Sequence, residues 1–184
     1  MTASVIKDKV PPQNADARMA VLGAVLLNSE LGFLSQVVEM LSPESFYFDS
    51  NRRVFEIILE LFENNKPIDS LILREELQKR SLFDRVGGED FLLELQSQLP
   101  TTANALYYAE IVREKATARK LINTASRIMD EAFDTQEGEE DLLNFAENLI
   151  FNVTSTKNIS RAVKISEILT ESFANIERMH DNQG

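Results

Sequence analysis

Cysteine and tryptophan are absent from this 184-residue sequence, and histidine occurs once. Without cysteine there is no disulfide framework and no thiolate zinc site. With His180 alone, neither a Ser-His-Asp triad nor a multi-histidine metal site can form within one chain. Six glycines and five prolines are few enough to leave room for long helices. None of the glycines precedes a lysine, so the Gly-x-x-x-x-Gly-Lys-Ser/Thr phosphate loop is missing. The dinucleotide-binding glycine pattern is missing too, and no nucleotide hydrolysis is expected. The longest apolar run, residues 20–27, is far too short to span a bilayer, and residues 1–13 lack the apolar centre of a signal peptide. A cytoplasmic location fits these absences.

Positive charge is also scarce. Nineteen Lys and Arg stand against thirty Asp and Glu, a formal net charge of −11. That balance repels a phosphate backbone, so direct DNA contact is expected to be weak or absent. A partner with a basic surface suits it better, with salt-sensitive association. Aromatic content is mostly core material, eleven Phe against three Tyr.

What is present is helical periodicity, and the expected fold is all-α. Residues 1–13 read as a flexible arm ending in Pro11-Pro12. Asn14 can cap a helix carrying Met19, Leu22, Val25 and Leu26, with Gly23 in its middle as a point of close helix approach. A second helix is expected over residues 31–41. Ser42-Pro43-Glu44 is a helix start. The next helix spans about 50–64 with Val54, Phe55, Ile58, Leu61 and Phe62 inward. Asp69 caps a helix bearing Leu71, Leu73 and Leu77; Gly87-Gly88 make a turn; Glu89 and Asp90 open a helix that Pro100 ends.

From residue 103 to about 134 neither Gly nor Pro interrupts the chain. Leu121, Ala125, Ile128 and Ala132 form one stripe, widened by Ile122, Met129 and Phe133. After an acidic turn broken at Gly138, Leu142, Ala146, Leu149 and Val153 recur at heptad-like spacing. The two segments read as an antiparallel helical hairpin. Its apolar surface exceeds what two helices can bury against each other, so self-association through Leu142, Ala146, Leu149 and Val153 is expected. Residues 154–164 are a polar linker. An amphipathic helix over 165–182 then shows Ile165, Leu169, Phe173, Ile176 and Met179 on one face. The expected organisation is thus an arm (1–13), a compact multi-helix globular head (14–102), a protruding hairpin (103–153), a linker (154–164) and a separate helix (165–182). The last has an apolar face and nothing nearby to cover it, which implies a partner outside its own domain.

Candidate chemistry is thin. Glu177 and His180 match the Glu-x-x-His step of di-iron bundles, but one step without further inward carboxylates makes no site. His180 in a last helical turn is better read as a cation suited to the helix dipole. Glu137, Glu139, Glu140 and Asp141 lack the spacing of a calcium loop and read as a solvated tip. Arg113, Lys115, Arg119 and Lys120 are the densest basic cluster, by default a solvated face, otherwise a contact for an acidic partner or single-stranded nucleic acid. Tyr107 and Tyr108 point about 100° apart on a helix, so at least one packs inward.

The order of motifs resembles the N-terminal region of bacterial DnaB-type replicative DNA helicases. The pieces are "PPQNADARMAVLGAVLL", "LSPESFYFDSNRRVFEIILEL", "PID", "VGGEDFLLEL", "PTTANALYYAEIVREKATARKLI" and "IERMH", and together they run from Pro11 to the end. Phe91 stands where Tyr is usual after Val86-Gly87-Gly88, and Asn51 where His often precedes Arg52. The resemblance implies a non-catalytic collar joined by a linker helix to a RecA-like ATPase motor that this sequence does not contain. ATP and Mg are then expected only on that motor, with no catalytic, cofactor or metal residue in this fragment. Implied partners are further copies of the chain (a dimer or larger, a hexamer at full length), primase, and a helicase loader as a further candidate. By motif match the primase contacts fall at Phe91, Ile122 and Ile128. The linker-helix face Ile165, Leu169, Phe173, Ile176 and Met179 would dock on a neighbouring subunit's motor domain. Two other readings are a free-standing all-α adaptor or decoy resembling the helicase head, and an all-α enzyme with a carboxylate metal centre, which the missing histidines oppose.

Overall fold

In a computed structural model the structure describes residues 9–28, 31–97, 104–134 and 138–155. The linker and terminal helix expected beyond residue 155 lie outside them, with Ile165, Leu169, Phe173, Ile176, Met179, Glu177 and His180; so do most of the arm, Pro100 and Glu137. The described residues form helices and no strand. They fall into two compact units, Met1–Arg119 and Lys120–Gly184.

The first unit is built around α1, Ala15–Leu27. Asn14 starts it by accepting from the Ala17 N–H at 2.8 Å. Nine of its thirteen residues are buried, Met19, Leu22, Gly23, Val25 and Leu26 among them, so it is apolar nearly all round, as a central core helix should be. After α2 (Leu31–Met40) the Ser-Pro-Glu start yields only a 3₁₀ turn, Pro43–Ser45. The chain then turns extended at Phe46, whose buried ring lies 5.0 Å from that of Phe55. Burying that ring outweighs continuing the helix, and α3 begins at Asp49 and runs to Glu63. It buries Val54, Phe55, Ile58 and Leu61 as expected, and also Ile57 and Asn51; Phe62 is half-buried.

Asp69 caps α4 (Ser70–Lys79) by accepting from the Ile72 N–H at 2.8 Å. Leu73 and Leu77 go into the core while Leu71 stays exposed. A four-residue helix, α5 (Phe83–Val86), precedes α6 (Gly88–Ser97). Gly87 joins them at φ +115, where a Cβ would also come within 3.1 Å of the Phe91 Cβ, so only glycine fits without strain. Arg80 forks onto Glu60 at 2.9 and 2.6 Å, tying α4 to α3. That hydrogen-bonded fork holds Glu60 below its usual carboxylate range. Its modest stabilisation is therefore present above the ordinary carboxylate pKa and fades as pH falls through the depressed one.

The largest departure from expectation is α7, Ala105–Asp134. The spacing places it wholly in a protruding hairpin, with the head ending at residue 102. Instead the first unit runs to Arg119, because Ala105, Ala109, Val112 and Ala116 are buried along one stripe of α7. Three of the four are alanines. Small side chains let a helix approach closely, yet contribute little apolar contrast to the sequence.

The second unit holds the rest of α7 and a helix over 139–155, α8. Thr124, Ile128 and Glu131 on α7, and Leu142, Ala146, Leu149 and Val153 on α8, are buried or half-buried. Each set keeps i, i+3/i+4 spacing and so forms one stripe, the pattern that a helical pair needs for its seam.

Candidate functional site

No cluster of three or more His, Cys, Asp or Glu able to hold a metal occurs among the described residues, and no helix of theirs is long and apolar enough to cross a membrane. The candidate site is an interaction surface.

In the second unit, large apolar side chains lie exposed on the flanks and backs of the two stripes. Taking 100° per residue, Ile122, Met129 and Phe133 lie roughly 140–180° round α7 from Thr124. All three are exposed, at 44%, 40% and 82%. On α8, Leu143, Ile150 and Phe151 are exposed as well, Phe151 at 67%. The four positions expected to drive self-association, Leu142, Ala146, Leu149 and Val153, are the half-buried stripe instead. Their heptad-like spacing finds the inward face of α8. The exposed apolar residues Leu143 and Ile150 each sit one position further on, at the flank of that stripe, and Phe151 sits on the opposite side.

The three primase-contact candidates are not alike. Phe91 is buried in the core of the first unit, against Gly87. Ile122 is exposed and Ile128 half-buried, both in the second unit. Tyr107 is exposed while Tyr108 packs partly against the core.

The basic cluster of α7 proves heterogeneous. Arg113 and Lys120 are exposed. Arg119 is no solvated cation: its guanidinium donates to the Pro12 and Ser45 carbonyls, both at 2.7 Å, and lies 5.8 Å from the centre of the Tyr47 ring. Burial lowers its pKa from the ordinary arginine value, and nearby Arg52 adds to the cost of its charge. Arg119 thus straps α7 to the approach of α1 and to the 3₁₀ turn. Arg119→Ala is expected to destabilise the first unit by about 2–4 kcal/mol, since it removes two hydrogen bonds from a charged donor. Thermal unfolding measures this, and an unchanged midpoint contradicts the strap.

Arg18 is a second such cation. It donates to Oδ1 of the fully buried Asn51, and its guanidinium sits 4.1 Å from the Phe48 ring centre. The Asn51 amide faces Met19 Sδ at 3.6 Å, and Ser50 Oγ donates to Asn51 Oδ1 at 3.1 Å. Burial lowers the Arg18 pKa, opposed by the charges of Glu94 and Asp16. Arg18, Lys115 and Arg119 line a small half-open cleft with Gln13, Ser45 and Tyr47; it has about 10 Å³ of free volume and no carboxylate on its walls.

A family model described as the DnaB-like helicase N terminal domain matches residues 10–114. The chain is 36% identical over 180 residues to the replicative DNA helicase DnaC of Bacillus subtilis, covering 98% of this chain and 39% of that relative. It is 33% identical over 182 residues to the replicative DNA helicase DnaB of Geobacillus stearothermophilus, covering 99% and 40%. The chain therefore spans about two-fifths of the length of these curated relatives. The crystal structure of the N-terminal domain of DnaB helicase from Mycobacterium tuberculosis superposes with a TM-score of 0.72 at 34% identity, covering 78% of this chain and 99% of that one.

Proposed function

This chain belongs to the family of DnaB-like replicative-helicase N-terminal domains, and from that membership we propose that it acts as a non-catalytic collar that assembles with further copies of itself and docks primase. Its relatives are replicative DNA helicases, so the process it serves is DNA replication. Unwinding and ATP turnover, with their ATP and Mg, belong to a motor domain outside this sequence. Purified chain is expected to turn over no ATP above a matched blank; turnover that follows the protein through purification contradicts the assignment.

The observation that carries the reading is the set of exposed apolar side chains on the second unit. Ile122, Met129 and Phe133 on α7, with Leu143, Ile150 and Phe151 on α8, are large apolar side chains exposed on a strongly charged chain. Such a surface calls for a partner. One set of contacts suits a second copy; the α7 residues near Ile122 suit primase. Phe91, being buried, would act through the shape of α6 rather than by touching primase. A helicase loader is a further candidate for the same surface. The spacing of Ile165, Leu169, Phe173, Ile176 and Met179 supports a docking role for that segment on a neighbouring motor domain.

Titrating the chain with the helicase-binding domain of a primase tests the docking role. Ile122→Glu is expected to weaken binding by tenfold or more, as loss of an apolar anchor does, while leaving the helical circular-dichroism signal intact. No binding by the wild type contradicts primase docking; equal binding by the variant contradicts the Ile122 assignment.

A further inference from the structure

On α8 the exposed apolar residues are interleaved with charge of one sign. Taking 100° per residue, Ile150, Leu143, Glu147, Glu140 and Phe151 fall within an arc of about 100°, and all five are exposed. Glu140 and Glu147 make no ion pair among the described residues. From residue 128 to residue 156 the chain carries eight carboxylates and no Lys or Arg. That field narrows what can cover the arc. Nucleic acid and anionic membrane surfaces are repelled. A second copy brings the same acids with it, so its apolar contacts form against like charge.

The arc asks for apolar contact and positive charge within the reach of one side chain. Lys and Arg supply both, since their stems lie along residues such as Leu143 and Ile150 while their heads reach the carboxylates. An exposed helix face with anchors at this spacing is met by another helix, whose own apolar residues recur every three or four positions. We propose that this arc of α8 docks an amphipathic helix of a partner protein, one that carries Lys and Arg beside its apolar stripe. The inference rests on the second unit being an interaction surface, and it names the chemistry that surface takes in preference to a second copy.

A synthetic amphipathic peptide of Leu and Lys is the probe. It is titrated into the full chain beside a scrambled peptide of the same composition and a Leu-Glu analogue. The Leu-Lys helix is expected to bind at least tenfold more tightly than either, and to bind more weakly as salt rises. Self-association should instead strengthen with salt, because screening relieves the repulsion between copies. Glu140→Gln with Glu147→Gln separates the two contacts: peptide binding should weaken about fivefold while self-association tightens. Glu110→Gln with Glu114→Gln removes the same charge from exposed positions of the first unit and should change neither. Both variants should keep the helical circular-dichroism signal of the wild type. Equal binding of the scrambled peptide or of the Leu-Glu analogue overturns the proposal, and so does undiminished peptide binding by the Glu140 and Glu147 variant. A chain that self-associates and binds no peptide overturns it and leaves the assembly reading standing. A chain that binds the Leu-Lys helix in the expected pattern yet stays monomeric supports it and contradicts self-association.

Discussion

Replacing Phe55 by alanine is expected to lower the stability of the first unit by about 3–5 kcal/mol, the usual cost of emptying a buried Phe site. Phe55 is fully buried in α3, and its ring is 5.0 Å from that of Phe46 at an angle of 43°. The loss has two parts, the apolar area returned to water and the cavity left beside Phe46. The second part matters more here, because Phe46 sits on the extended link between the 3₁₀ turn and α3, and Arg119 straps that same turn to α7. A domain of this size has only about 5–15 kcal/mol in total. The melting temperature should fall by more than about 10 °C. A shift of a degree or two means that the Phe46–Phe55 pair is not the centre of the core.

The second large effect concerns association. Ile150→Glu is expected to raise the self-dissociation constant at least thirtyfold, as loss of a central apolar contact does, with little change in thermal stability. Ile150 is 43% exposed within the chain, so a charge there is hydrated in the monomer and desolvated only when a second copy covers it. Leu149→Glu is a poorer probe. Leu149 lies on the half-buried stripe of α8, so a charge there disturbs the unit itself. If Ile150→Glu associates as the wild type does, the exposed flank of α8 at Ile150 is not the contact.

Much of the fold is legible in the sequence because its punctuation is local. Asn14 and Asp69 accept from helix-start N–H groups, and Gly87 takes a left-handed dihedral that only glycine holds without strain. Long apolar stripes in α1 and α3 name most of the core. The end of the first unit is not legible, since α7 enters the core on Ala105, Ala109, Val112 and Ala116, a stripe with little hydrophobic contrast. Nor are the roles of Arg119 and Asn51. A half-buried arginine bound to carbonyls more than seventy residues away in sequence looks like any surface cation, and a buried asparagine held by Arg18 looks like a helix-start residue. The candidate surface is half legible: spacing marks Ile122, Met129 and Phe133 on α7, but on α8 it marks the half-buried stripe and passes over the exposed Leu143, Ile150 and Phe151, because which side remains outward depends on tertiary pairing.

Sedimentation equilibrium of the wild-type chain, from low to high micromolar concentration, addresses the assembly role most directly. Dimers or larger species that grow with concentration, and that Ile150→Glu removes, are the predicted result. A monomer throughout that range, with the chain folded, would contradict the account.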